Sequence, residues 1–129
     1  NGGTVQFAPH GLAANWQNAA SIPPNTSNYN FSSTVGATDQ FTVGNLSVLT
    51  ESVGGIFIVS TAENISGGLH TYSRQWGGAG GSAIQSGSAS TLTNGYLTYG
   101  DSPSGDPNTN AAWTVAGVNG MTIGYSLAS

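Results

Sequence analysis

Arg74 is the only basic side chain in 129 residues, and lysine is absent. That scarcity of charge constrains the fold more than any motif does. A surface helix keeps a charged or polar flank opposite its apolar stripe, and this chain has few of the long charged residues that build one. Its polar residues are Ser, Thr, Asn, Gln and Gly, neutral hydrogen bonders that favour turns and strand faces over helices. Charged residues make up 5% of the chain and hydrophobic ones 37%, against typical values of about 25% and about 45–50%. An aromatic content of 9% separates it from disordered chains, which combine few aromatics with high charge.

The length suits one domain with its own core. The expected organisation is a single domain over residues 1–129, with 1–30 as an extended N-terminal arm. The chain begins at Asn1 without Met or a signal peptide, which reads as a mature or trimmed product. Strands are expected at Thr4 to Ala8, Phe41 to Thr50, Leu69 to Trp76, Ser82 to Ile84 and Leu92 to Tyr99. A change of parity at Gly44–Asn45 suggests a bulge. The continuous run Ile56-Phe57-Ile58-Val59 predicts a central strand covered on both faces. Only Gly11 to Ala20 offers a helical turn or two, before Ile22-Pro23-Pro24 stops it and leads into an extended loop. Ala112 to Ala116 and Met121 to Leu127 predict a closing hairpin around Asn119-Gly120. A three-residue loop there puts Trp113, Val115, Ile123 and Tyr125 on one face. The sum is an all-β chain, an antiparallel β-sandwich of jelly-roll type, with an immunoglobulin-like sandwich as the alternative.

Composition also excludes functions. Nucleic-acid binding neutralises several phosphates with Lys and Arg, which one Arg cannot do. No apolar run approaches the ~20 residues of a membrane-spanning helix, so no membrane insertion is expected. Cysteine is absent, which removes disulfides and thiolate metal sites. Sequons stand at Asn25, Asn30, Asn45 and Asn64, numerous as expected of a chain rich in Asn, Ser and Thr. Neither His10 nor His70 sits in a metal-ligand spacing, and there is no GxSxG elbow. Glu51 and Glu63 would have to meet to serve glycoside hydrolysis, and nothing in the sequence brings them together. The expectation is a protein that is not an enzyme.

Two stretches remain as candidate sites. In the strand LHTYSRQW, alternation places His70, Tyr72, Arg74 and Trp76 on one face. Such a row serves as a subunit contact, as packing within the chain, or as a sugar platform with Tyr72 and Trp76 as ring faces. The loop 100–110 gathers oxygen ligands, and Asp101, Asp106 and Asn108 are the residues for a calcium ion. The same residues are turn formers, and otherwise no cofactor is expected.

From the strand near Ile56 to the segment ending at Leu127, the Gly/Ser/Thr/Asn-rich, lysine-free texture resembles phage fibre-tip and capsid-decoration proteins of the virion surface. Asn1-Gly2-Gly3-Thr4-Val5-Gln6-Phe7 resembles the first strand of mature chaperone–usher pilins, which completes a neighbour's sheet. The pilin disulfide is missing, and Tyr125 lies further from the end than the aromatic of that family. The resemblance implies a non-enzymatic structural subunit of an extracellular assembly, on a virion surface, whose partners are copies of itself and other subunits. The alternatives are a pilus or filament subunit and a carbohydrate-binding module that uses Tyr72, Arg74 and Trp76 on a cell-surface glycan.

Overall fold

The computed structural model describes residues 6–11, 14–19, 25–47, 52–78 and 83–129. The protein is mostly β, with antiparallel pairing throughout and two short helices among the described residues. The elements run β1 Ala8–His10, α1 Asn15–Ala19, β2 Tyr29–Phe31, β3 Thr38–Thr42, β4 Ile58–Ala62, β5 Thr71–Gly77, β6 Gln85–Ser86, β7 Ser90–Thr91, β8 Leu97–Asp101, α2 Val115–Gly120 and β9 Thr122–Leu127.

The main sheet follows the order β3-β9-β5, with β6 and β7 sharing the far edge of β5. Two further pairs stand apart, β1 with β2 and β4 with β8. The pairing is nested. β3 meets β9, β4 meets β8 and β5 meets β7, while β5 also pairs with β9 across this nest.

Register decides which side chains face together, because directly opposed residues share a face. Asp39 and Arg74 both oppose Tyr125, Phe41 and Trp76 oppose Ile123, and Tyr72 opposes Leu127. These residues form one face of the main sheet. The other face is small and polar, with Thr38, Gln40 and Thr42 on β3, Thr122, Gly124 and Ser126 on β9, and Ser73 and Gln75 on β5. Gln40 Nε2 donates to Gln75 Oε1 across Gly124 at 2.7 Å. A residue with a side chain at 124 would drive its Cβ into the Asp39 carbonyl, so glycine sets the spacing of β3 and β9.

The apolar core lies on the first face. Trp76, Ile58, Trp113 and Met121 form its buried cluster, with Val43, Val53, Ile56, Val118 and Ile123 packed against it. Truncating a buried Trp typically costs about 3–5 kcal/mol. Two covers complete this layer. The β4–β8 ribbon lies over β5, with Ser60 Oγ and Tyr72 Oη 2.8 Å apart. The β1–α1–β2 unit lies over the Asp39 side, so the described residues of the segment expected as an arm are folded onto the sheet.

Several expected elements differ: β3 ends at Thr42, so no strand runs on to a bulge at Gly44–Asn45, β8 starts only at Leu97, and two further differences bear on the core. Ile56 to Val59 is not a central strand covered on both faces. β4 pairs with β8 alone, and the outward side chains Phe57 and Val59 are 68% and 58% exposed. The apolar run arises because one side faces the core through Ile58 and the other is apolar without cover from the described chain. The closing hairpin is also absent, because Val115–Gly120 is helical. Thr114, in extended conformation, caps it by accepting from the Gly117 N–H at 3.0 Å, the standard device for an otherwise unpaired first-turn donor. Trp113 and Ile123 still reach one core, by a helix rather than by pairing. The expected strand start at Thr4 and Val5, the prolines 23–24, the strand end at 48–50, Glu51 and the glycine-rich stretch 79–82 lie outside the described residues.

Candidate functional site

Alternation along β5 puts Tyr72, Arg74 and Trp76 on one face, as read from the sequence; in the structure that face turns inward, where the β4–β8 ribbon encloses it. Arg74 is 3% exposed. Its Nε donates to Asp101 Oδ2 of β8, its Nη1 to Ser90 Oγ of β7 at 2.8 Å, and its Nη2 to the Ser88 carbonyl at 3.3 Å. The guanidinium also lies 5.3 Å from the Tyr72 ring centre and 5.9 Å from that of Tyr99, within cation–π range. Burial works against its charge, but the Asp101 carboxylate and Tyr72 outweigh it, so its pKa lies above the ordinary value. The cation therefore ties three strands together. Glycine at 87 makes this possible, because any side chain there would collide with the Asp101 carboxylate.

Tyr72 meets Tyr99 edge to face at 5.2 Å. Burial first of all pushes its ionisation upward, against the opposing pull of Ser60 and Arg74. Trp76 belongs to the core cluster. His70 stands apart, just before β5, half-buried, with Nδ1 3.0 Å from the Ser129 carbonyl. A ligand would have to displace β4–β8 to reach the other three.

The loop residues read as calcium ligands are separated by their tasks. Asp101 pairs with Arg74. Asp106 is buried, and its Oδ1 accepts the Asn108 N–H at 2.9 Å, the bond of an Asx turn. The Asp106 carbonyl accepts from Asn110 N–H at 2.8 Å, and its N–H donates to the Ala111 carbonyl at 2.9 Å. The Asn108 side chain lies against Gly78, where a Cβ would collide with it. Among the described residues no group of three or more His, Asp or Glu side chains could hold a metal. Beside the loop, Gln85, Ser104, Asp106 and Asn110 help to line a polar recess of about 260 Å³.

The most buried ionisable group is one the sequence reading passed over. Asp39 is 0% exposed. Its Oδ1 accepts the N–H groups of Gln6 at 2.6 Å and Phe7 at 2.9 Å. Its Oδ2 accepts Asn15 Nδ2 at 2.6 Å and the Tyr125 hydroxyl at 3.2 Å. Asn30 Nδ2 donates to the Tyr125 oxygen at 2.6 Å, and Asn18 Nδ2 donates to Asn30 Oδ1 at 3.0 Å. A buried carboxylate is tolerable when hydrogen bonds replace its water, and this one locks the β1–α1–β2 unit to the sheet. Tyr125, wedged against Phe7 and Phe41, has its ionisation pushed far upward, mainly by burial and further by Asp39. The signal was present in Thr38-Asp39-Gln40-Phe41, where Asp39 shares the parity of the inward Phe41.

The exposed surface has the opposite chemistry. Phe57, Val59, Thr61, Thr98 and Gly100 share the outward face of β4–β8, with the Phe57 ring laid over Gly100. Ile65 and Leu69 are more exposed still. Of the acids described, Glu63 alone is neither buried nor ion-paired, and it sits half-buried beside Tyr96. No family model, no curated protein and no solved structure matches the chain.

Proposed function

We propose that the chain is a non-enzymatic structural subunit of an extracellular assembly, a virion surface protein held in place by contacts with copies of itself. One observation carries this reading: among the described residues most of the charge is inside, and apolar surface is outside. Asp39, Arg74 and Asp106 are buried and Asp101 is paired, each holding the fold, while Phe57 and Val59 project from an uncharged ribbon face. An isolated protein relies on net surface charge for solubility, whereas a subunit exchanges that surface for its neighbours'. Exposed apolar patches mark such contacts.

The finer architecture proposed is the jelly roll. The nested pairing β3 with β9, β4 with β8 and β5 with β7 supports it, because a jelly roll is a long antiparallel ribbon wound into two layers. That fold serves capsid subunits and lectins alike, so the assembly reading rests on the surface and not on the topology.

The test is the double variant Phe57→Ser/Val59→Thr, compared with the parent chain by multi-angle light scattering and circular dichroism. Concentration-dependent self-association in the parent, lost in a variant that stays folded, supports the proposal. A parent chain that remains a monomer at every concentration defeats it, and a parent that shifts on a glycan array as a monomer transfers the role to carbohydrate binding.

A further inference from the structure

The sequence contains three Asn-Gly pairs, at Asn1, Asn94 and Asn119. Such pairs are reactive because a glycine nitrogen, with no Cβ beside it, can approach the preceding side-chain amide. Asn1 lies outside the described residues, and the fold separates the other two.

Asn119 lies in α2, half-buried. Its Oδ1 accepts the Leu46 N–H at 2.7 Å. The Gly120 N–H belongs to the hydrogen-bond ladder of the helix, so neither reacting group is free to turn toward the other. Asn94 lies in the exposed bend before β8. Its side-chain amide and the Gly95 N–H have no hydrogen-bond partner among the described residues, and the space around Gly95 is open. The flanks are held, since the Thr93 carbonyl accepts Asn64 N–H at 2.8 Å and Thr93 Oγ1 donates to the Gly95 carbonyl at 2.9 Å.

We propose that Asn94 is a site of spontaneous deamidation, a modification that introduces charge on this neutral surface, while Asn119 is protected by the fold. The Gly95 nitrogen loses its proton and attacks Asn94 Cγ. A C–N bond forms, the side-chain nitrogen leaves as ammonia, and a cyclic imide remains. Water then opens either ring carbonyl to give aspartate or isoaspartate. Nothing is oxidised or reduced. The formal net charge of −4 becomes one unit more negative, next to the strand end that carries Glu63.

The experiment incubates the folded chain at mildly alkaline pH, with peptide mapping by mass spectrometry and ion-exchange chromatography as readouts. A second sample is held in denaturant. The expected result is an acidic species whose isoaspartate maps to Asn94, with Asn119 unmodified in the folded chain and both sites converted in denaturant. Asn94→Gln removes the acidic species and Gly95→Ala slows its formation. The proposal is overturned if Asn119 keeps pace with Asn94 in the folded chain. It is equally overturned if Asn94 stays intact there while the denatured sample converts.

Discussion

Asp39 gathers donors from three directions, two backbone N–H groups, an amide and a phenol, and no neutral residue of its size can do the same. In Asp39→Asn an amide NH₂ replaces one carboxylate oxygen and faces donors. The substitution is expected to lower stability by about 3 kcal/mol, measured by urea denaturation; an unchanged midpoint would remove Asp39 from its role as lock. Asp101→Ala leaves the Arg74 cation buried without its carboxylate and is expected to cost about 3 kcal/mol, the lower end for a broken buried pair because Asp101 retains some solvent contact. The double variant Arg74→Met/Asp101→Leu should recover much of that loss, since no charge is then stranded. Failure to recover would show that the other Arg74 bonds matter more. Tyr125 gives a pH signature. In the folded chain its phenol holds its proton beyond the ordinary value of 10.0, so unfolding releases a proton once the pH passes that value. Stability is complete below it and falls as the pH rises through it. Tyr72 and Tyr96 shift the same way. Thermal melting followed upward from neutral pH should show the fall, and Tyr125→Phe should flatten it.

Among the elements, β5 was the most legible in the sequence, because alternation put Tyr72, Arg74 and Trp76 on one face, although it did not say which way that face turns. Its register against β9 follows from keeping Tyr72, Arg74 and Trp76 with Leu127, Tyr125 and Ile123. The closing segment was misread for an identifiable reason. Val115-Ala116-Gly117-Val118-Asn119-Gly120 has β-branched residues and two glycines, poor helix formers, and only the Thr114 cap and tertiary packing of Val115 make it helical. The Asp39 lock was half legible, since parity pointed Asp39 inward but its partners are far along the chain. The long-range contacts of Gln6, Asn15 and Asn30 leave no local pattern to read. At the junction of β3 and β9, Gly124→Ala places a methyl carbon against the Asp39 carbonyl and the Gln40 amide. Backbone cannot yield as a flexible side chain does, so a loss of about 3 kcal/mol or more is expected. A melting temperature equal to that of the parent would mean that the two strands are not spaced by this glycine.

For the molecule as a whole, the distribution of charge joins fold and function. The same shortage of charged side chains that rules out phosphate binding also leaves few charges on the described surface, where Glu63 is the one acid that is neither buried nor ion-paired. What remains outside is hydroxyl, amide and apolar surface, Phe57 and Val59 foremost, on a ribbon whose inner face is committed to Tyr72 and Arg74. Contacts made by such a surface should not depend on Coulomb attraction, so salt separates this account from its rivals. The decisive measurement is the mass of the chain in solution by light scattering, taken across a concentration series and repeated with added sodium sulfate. The account predicts oligomers that grow with concentration and are maintained or strengthened by sulfate, which favours apolar burial. A monomer under all conditions, or oligomers that salt dissolves, would contradict it.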